Sequence, residues 1–252
     1  MVKFSPIAPI ALLQQLHYQG ELGDYLLLLA HDVLDYPIAY QKLIDAVKDQ
    51  NPDAVIILDN STVELGHPLS AASLQHAATV CRANVLALPD VIGDADATKL
   101  LICKTLDEMR ATNLDLMAIP QGQSVTEFTD LIDWMDDFVK PQWYGIPRWV
   151  ANTFHSRTGL IDYINNTVDE PKIHLLGMSK YFDDDIHCCF MNNVQGIDSA
   201  NPMVLGQSGF ELGVDGVDGI VPHMDRGDFW EHISVKFKSV SNIHYVRELI
   251  SV

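Results

Sequence analysis

Short apolar runs, each ending on polar residues and each followed by an amphipathic stretch, constrain the fold most. The clearest example is Val55–Leu58 in the segment AVIILDNSTVELG, where the apolar run stops on Asp59. Seven runs of this type, with 219–221 as an eighth candidate, recur along the chain at 25–30, 55–58, 85–88, 116–119, 143–146, 173–176 and 196–197. Strands that alternate with helices in this way predict parallel strands joined by right-handed crossovers.

Helical patterns fill the intervals between these runs. The predicted helices cover 37–50, 70–83, 94–112, 124–140, 153–167, 181–194 and 227–250, and the predicted N-caps are Ser70, Asp94, Ser124 and Asn152. Seven or eight strand–helix units in 252 residues predict a single (β/α)8 TIM-type barrel, one α/β domain over 1–252. An open dinucleotide-binding sheet is disfavoured because no G-x-G-x-x-G follows the first run. The Gly-rich segment 203–225 predicts a functional loop or an irregular last unit.

The charge and the chain ends limit the classes of function. Lys and Arg number 16 against 34 Asp and Glu, which gives a net charge of −18. Such a charge repels polyanions and argues against a general nucleic-acid binder. No run approaches the roughly 20 apolar residues that span a bilayer, and the amino-terminal segment lacks the apolar core of a signal peptide. We therefore expect a cytoplasmic protein with no membrane partner.

The cysteines predict neither disulfides nor a metal site. Cys81, Cys103, Cys188 and Cys189 have no zinc-finger or disulfide spacing. The adjacent pair lies beside His187 in a predicted helix, where neighbouring side chains point in different directions. We therefore expect buried free thiols, no metal and no cofactor.

Polar residues follow nearly every predicted strand. They are His31-Asp32, Asp59-Asn60-Ser61, Pro89-Asp90, Pro120-Gln121-Gly122-Gln123, Pro147-Arg148-Trp149, Gly177-Met178-Ser179 and Asp198-Ser199-Ala200-Asn201. In a barrel these positions meet at the C-terminal mouth, where active sites are built. Crowded carboxyl groups shift one another's pKa values, so one can act as acid or base while another stays ionised. Asp59, Asp90 and Asp198 thus predict acid–base chemistry of the kind that glycosyl transfer uses.

The order of five segments resembles the tRNA-guanine transglycosylase superfamily. The segments are LDNST, LPDVIGD, MAIPQGQS, YGIPRWV, and IHLLGMSK followed by GIDSANPMVLGQSG, over roughly residues 25–210. The chain lacks that family's Cys-x-Cys-x-x-Cys…His zinc module. In this it is similar to the compact phage and bacterial branch that exchanges guanine in DNA for a 7-deazaguanine such as preQ0.

The resemblance implies a pentosyltransferase with a covalent aspartyl-glycosyl intermediate. It implies Asp198 as the nucleophile and Asp59 as the general acid/base. The other implied site residues are Asp90, Gln121 and the backbone at Gly122 and Gly145 for the heterocycle, Ser61 and Ser199 for orienting the carboxylates, and Arg148 for a phosphate. In an ungapped alignment the family's nucleophile falls on Asn201, which cannot form the ester.

Several alternatives stay open at this point. The same pocket could act on tRNA, or the chain could be a non-catalytic binding subunit of the same fold. A metal-dependent barrel hydrolase is a third alternative, with His31, Asp32, Asp59, His174 and Asp198 as its candidate residues. His223 is a further candidate for a catalytic histidine. A DNA partner would need a local basic patch, or a partner protein or homodimer to supply the contacts. The patch candidates are Arg148, Arg157, Lys172, Lys180, Arg226, Lys236, Lys238 and Arg247.

Overall fold

Eight parallel strands form the centre of the molecule. The computed structural model describes residues 1–109, 113–179, 181–214 and 227–251. The strands are β1 (Lys3–Pro6), β2 (Tyr25–Leu29), β3 (Val55–Asp59), β4 (Val85–Ala87), β5 (Asp115–Ala118), β6 (Trp143–Pro147), β7 (Lys172–Leu176) and β8 (Val194–Ser199). Each strand pairs in parallel with the next along the chain from β2 to β8, and β1 pairs with β8.

The sheet closes on itself between its two end strands. Where β1 meets β2, the fully buried Ser5 hydroxyl accepts a hydrogen bond from the Leu27 N–H at 2.8 Å. A side chain thus satisfies a backbone donor at the seam, where an unpaired buried N–H would be costly. The prediction of a single (β/α)8 barrel is confirmed.

Helices cover the outside of the barrel. The α-helices are α1 (Ile10–Tyr18), α2 (Ala30–Asp35), α3 (Pro37–Gln50), α4 (Thr62–Leu65), α5 (Ala71–Val80), α6 (Ala95–Glu108), α7 (Val125–Trp134), α8 (Arg148–Phe154), α9 (Thr158–Thr167), α10 (Phe182–Cys189), α11 (Asn201–Gln207) and α12 (Phe237–Leu249). A π-helical turn follows α7 at Met135–Val139, and a 3-10 helix covers Gly227–Glu231. Within the described ranges, no helix is both long and apolar enough to cross a membrane.

Three of the four predicted N-caps are confirmed. The side chains of Ser70, Asp94 and Ser124 each accept a hydrogen bond from the backbone N–H three residues later. The prediction for Asn152 is wrong, because this residue lies inside α8. Pro147 ends β6, and the chain enters α8 at the next residue, since proline tolerates the position before a helix.

The first strand is the main element that the pattern analysis missed. Lys3–Pro6 is only four residues long and carries a lysine, a serine and a proline, so it lacks the signal of a buried strand. The eighth candidate strand, 219–221, lies outside the described residues, as does His223. The predicted irregular segment 203–225 is helical in its first part, because α11 continues to Gln207.

Side chains alternate between two apolar layers. In β2, Tyr25, Leu27 and Leu29 point into the barrel, whereas Leu26 and Leu28 point towards the helices. Two strand glycines make room for the inner layer. A Cβ at Gly145 would lie 2.7 Å from a methyl carbon of Leu176, and one at Gly196 would lie 2.5 Å from the Tyr25 ring. The inner layer therefore fills the barrel below its C-terminal mouth.

Gly206 offers a test of the packing between α11 and α12. A Cβ at this position would lie 2.2 Å from the Ser239 backbone nitrogen, so the Gly206→Ala variant has to push the two helices apart. We expect a loss of about 1–3 kcal/mol in the free energy of unfolding, measured with urea. The control is Gly159→Ala in α9, where a Cβ meets no atom within 4 Å. The free energy of unfolding of that variant should be unchanged or higher by up to about 1 kcal/mol. Equal effects would contradict the close contact.

Candidate active site

A cavity of about 280 Å³ opens at the C-terminal ends of the strands. It brings together Asp59 at the end of β3, Asp90 after β4 and Asp198 near the end of β8. These acids are far apart in the chain and share one rim, as their positions at strand ends predict. Of the remaining predicted site residues, Gln121, Arg148 and Ser199 also line the cavity.

Asp198 is held by two hydrogen-bond donors from β7 and the loop after it. Its Oδ1 lies 3.0 Å from His174 Nε2 and accepts the Gly177 N–H at 2.9 Å. Within the described part of the chain, Oδ2 has no hydrogen bond. One carboxylate oxygen is therefore fixed by two donors from the protein.

A buried Tyr25–His174–Asp198 chain determines how this carboxylate is held. The Tyr25 hydroxyl lies 2.7 Å from His174 Nδ1, and the imidazole is fully buried. Burial, and then the charge of Asp198, raise the pKa of Tyr25 well above its ordinary value, so the phenol keeps its proton. When the phenol donates to Nδ1 and the Nε2–H donates to Asp198, both buried polar hydrogens of these three side chains have an acceptor. In this arrangement Asp198 is a hydrogen-bond acceptor.

Asp59 sits in a tight turn, and one of its oxygens has no hydrogen bond from the residues that the structure describes. Its Oδ2 accepts the Ser61 N–H at 2.8 Å, and Ser61 adopts the left-handed conformation with φ 61°. Such a conformation is uncommon for a serine and is often found at functional sites. Burial, and then the charge of Glu64, raise the pKa of Asp59 well above its usual range; Asp90 and Asp198 add to the rise. Asp59 therefore favours the protonated form.

Asp90 is fixed by two side-chain amides. Asn60 Nδ2 donates to Asp90 Oδ1 at 2.9 Å, and Gln121 Nε2 donates to Asp90 Oδ2. Burial raises the pKa of Asp90 to about 6, although both hydrogen bonds oppose the rise. Asp90 thus titrates just below neutral pH while its position stays fixed.

The amide of Gln121 is itself oriented by two donors. Its Oε1 accepts the Gly93 N–H at 3.0 Å and the indole N–H of Trp149 at 2.9 Å. With the oxygen occupied in this way, the Nε2 group must face Asp90. The Asn60 side chain is oriented similarly, because its Oδ1 accepts the Thr62 N–H at 2.8 Å.

Three predicted site residues support the cavity without lining it. The Ser61 hydroxyl accepts the His31 N–H at 3.2 Å and lies away from the cavity. Gly122 lets the chain pass close to α7, because a Cβ there would lie 2.8 Å from that of Glu127. Gly145 is an interior packing glycine of β6. Gly122 and Gly145 thus do not line the cavity, whereas Ser61 holds the Asp59 carboxylate through its backbone N–H.

Arg148 is a cation at the cavity wall. Within the described residues it makes no hydrogen bond and no ion pair, and its stem packs against Gly177. Its charge acts on Glu64, lowering a pKa that burial raises. Ser199 Oγ accepts the Asn201 N–H at 3.0 Å and so shapes the turn after β8.

The buried pair of Arg157 and Asp185 holds the loops beneath the site. The Arg157 guanidinium is fully buried, is paired with Asp185 and donates to the carbonyl of Ile146 at 3.1 Å. Asp185 in turn accepts hydrogen bonds from both the N–H and the hydroxyl of Ser179. The interpretation of Arg157 as part of an exposed basic patch is therefore wrong.

Other candidates for that patch are engaged or lie elsewhere. Lys172 pairs with Asp115 at the N-terminal ends of their strands, opposite the cavity. Arg247 donates to the carbonyls of Glu21 and Leu22. Lys180 and Arg226 lie outside the described residues. The predicted partners, which are DNA or tRNA, a 7-deazaguanine base and a second protein or second copy, stay predictions.

The described residues offer no cluster of three or more His, Cys, Asp or Glu side chains arranged to hold a metal. Cys188 and Cys189 are free and buried in α10. Burial raises the pKa of each thiol to about 12, so neither forms a thiolate readily.

Pattern analysis missed the residues that set the protonation states of the acids. His174 was a candidate without a partner, and Tyr25 was a strand residue without a role. Their pairing with Asp198 crosses three strands, so no spacing in the chain signals it. Asn60 and Trp149 were placed at the mouth by their positions after predicted strands, and both line the cavity.

Two solved structures are similar to the chain. One is 2,3-dimethylmalate lyase, a PEP mutase/isocitrate lyase superfamily member, with 9% identity and a TM-score of 0.49 over 99% of this chain and 92% of that one. The other is a dihydrodipicolinate synthase from Agrobacterium tumefaciens, with 12% identity and a TM-score of 0.47 over 98% and 96%. No protein-family model and no curated protein matches the chain. At these identities and TM-scores the likeness does not extend to a reaction.

The predicted membership of the tRNA-guanine transglycosylase superfamily is wrong. No protein-family model and no curated protein supports it. The predicted exchange of guanine in DNA or tRNA and the pentosyltransferase activity are wrong with it. The motifs misled because the barrel itself requires them: Asp59 closes a turn onto Ser61, and Gly196 makes room for Tyr25.

The Tyr25–His174 hydrogen bond can be tested with Tyr25→Phe. This variant leaves buried Nδ1 without a donor, so we expect a loss of about 1–3 kcal/mol in the free energy of unfolding. Nitrogen-15 NMR of the wild type should show His174 protonated at Nε2 and not at Nδ1. Tyr18→Phe is the control, because Tyr18 is 92% exposed. A protonated Nδ1 would contradict the assigned tautomer.

The raised pKa of Asp90 predicts a dependence of stability on pH. The folded state holds this proton more tightly than the unfolded state, whose aspartates titrate near pH 4. The resulting stabilisation is complete below about pH 4 and is lost as the pH rises through the folded value of about 6. In the Asp90→Asn variant, the fall in the free energy of unfolding over this pH range should be smaller by on the order of 3 kcal/mol. Urea unfolding at several pH values measures the free energy of unfolding. The control Asp53→Asn changes an exposed residue and should show the same pH dependence of stability as the wild type.

Proposed function

We propose that the protein is an enzyme that uses general acid–base catalysis on a small molecule held in the cavity. The observation that carries the proposal is the contrast between Asp198 and Asp59 on one rim. Asp198 accepts hydrogen bonds from His174 Nε2 and the Gly177 N–H. Burial raises the pKa of Asp59, which favours its protonated form. A carboxyl group that accepts two hydrogen bonds and a second one that holds its proton more tightly are suited to the roles of base and acid.

The two groups have complementary roles in a proton-transfer step. Asp198 accepts a proton from one substrate atom at its unengaged oxygen, and Asp59 delivers its proton to another atom. The substrate thus loses one proton and gains one, as in an isomerisation or an elimination. Asp198 then returns its proton to solvent and Asp59 takes one up, which restores both groups. Each positioned acid or base contributes about 10²–10⁴ to such a rate.

Asp90 has a binding role in this proposal. Both of its oxygens accept amide N–H groups, so the carboxyl cannot turn towards a reacting atom without breaking the Asn60 or Gln121 contact. Each oxygen keeps a lone pair, which can accept a further hydrogen bond from a ligand N–H or O–H. Trp149 is fixed beside it through Gln121 and offers an apolar wall.

The charge of the cavity favours a neutral or cationic substrate. Four carboxyl groups line it, from Asp59, Glu64, Asp90 and Asp198, against the single cation of Arg148 among the described lining residues. A ligand that donates hydrogen bonds or carries positive charge interacts favourably with the carboxylates of Asp90 and Asp198. We therefore propose a small nitrogen-containing substrate rich in N–H donors.

The test is conversion of a panel of amines, amidines and amino-substituted heterocycles in D₂O, followed by NMR and mass spectrometry. We expect the wild type to convert or deuterate at least one compound. Asp198→Asn and Asp59→Asn should each lower the rate by about 10²–10⁴, because an amide serves as neither base nor acid. The rate should also fall as the pH rises through the pKa of Asp59. Asp53→Asn, far from the cavity, should match the wild type.

Two outcomes contradict the proposal. Conversion that survives in Asp198→Asn would exclude this carboxylate as the base. Binding of panel compounds without any conversion or deuteration would make the cavity a binding site and not a catalytic one.

A further inference from the structure

We propose that the substrate site has a second compartment, an outer cleft that binds an organic amine joined to the reacting part of the substrate. The inference rests on the proposed function only in that the inner cavity receives the reacting part. The outer cleft is the cavity of about 680 Å³ beside the inner one. It lies between the start of α1, the helix α2 and the 3-10 helix Gly227–Glu231 with the residues that follow it.

The two cavities share a wall. The residues that line both are Val63, Glu64, Arg148, Ala200 and Trp230. Glu64 and Arg148 therefore stand at the junction, and a ligand that passes between them can occupy both spaces. The inner cavity alone holds a small group, whereas the combined space accommodates a molecule with two parts.

Exposed apolar side chains are concentrated around the outer cleft. Tyr36 is 55% exposed, Val63 61%, Trp230 39% and Ile233 76%, and all four line the cleft. Large apolar side chains grouped on a surface mark ligand grooves or contact sites more often than isolated ones do. A ligand with an apolar part can therefore cover these hydrocarbon and aromatic surfaces and exclude water from the cleft.

His31 lines the same cleft and carries a polar atom without a partner. Its Nε2 lies 3.5 Å from Asp32 Oδ1. Its Nδ1 is buried and has no hydrogen-bond partner in the described part of the chain. A buried polar atom without a partner is costly, and a hydrogen-bonding group of a ligand would satisfy it.

The charges of the cleft select the sign of the ligand. Four carboxyl groups line it, from Asp32, Asp35, Glu64 and Glu231, and Arg148 is the one Lys or Arg among the described lining residues. An anionic substituent such as a phosphate would meet repulsion. An ammonium group gains from these carboxylates and from the ring faces of Tyr36 and Trp230. The ligand class is therefore an amine on an aromatic or aliphatic group.

The experiment compares three probes of similar shape and different charge: phenethylamine, 2-phenylethanol and phenylacetate. We expect NMR titration of the full chain at low salt to give phenethylamine an affinity about tenfold higher than that of either other probe. Trp230→Ala and Asp35→Asn should each weaken its binding about fivefold. The matched controls Phe237→Ala and Asp53→Asn change exposed residues outside the cleft and should leave binding unchanged.

The outcomes separate this inference from the proposed function. Asp59→Asn should keep phenethylamine binding, because Asp59 lines only the inner cavity. If this variant no longer converts substrate but still binds phenethylamine, the proposal that the outer cleft binds amines is supported. Equal affinities for the three probes, or unchanged binding in Trp230→Ala, would contradict amine binding in the outer cleft, even if the inner cavity proves catalytic.

Discussion

Closure of the sheet is the constraint on which the rest of the structure depends. The pairing of β1 with β8 and the hydrogen bond from Leu27 to Ser5 turn eight parallel strands into a barrel. Closure brings the C-terminal strand ends around one rim, so Asp59 and Asp198 reach the same cavity from distant parts of the chain. The same closure buries Tyr25 and His174 in the barrel, where they can reach Asp198.

Burial creates both the stability of the barrel and the chemistry at its mouth. The low-polarity surroundings that favour packing also raise the pKa values of Asp59 and Asp90. Asp198, by contrast, accepts hydrogen bonds from both His174 and Gly177. Hydrogen-bond donors placed by β7 thus separate the roles of acids that share one cavity, and this separation is the basis of the proposed catalysis.

Much of the fold and part of the site could be predicted from local patterns. Apolar runs located seven strands, and their polar ends located Asp59, Asp90, Gln121 and Asp198 on the cavity wall. The predictions failed where a residue acts through a distant partner. Arg157 looks like a surface charge in the chain but is buried against Asp185. Gly145 looks like part of a substrate loop but is required by packing against Leu176. The family resemblance failed for the same reason, since short strand-end motifs reflect barrel geometry as well as ancestry.

The architecture can be read from the amino-acid sequence, because the alternation of apolar strands and amphipathic helices is a local property that each segment carries alone. The acids at the rim can be located in the same way, since strand ends in a barrel face one side. The chemistry open to those acids, however, depends on the folded barrel. A protonation state depends on burial and on donors such as His174, and these come from residues distant in the chain that meet only when the barrel closes.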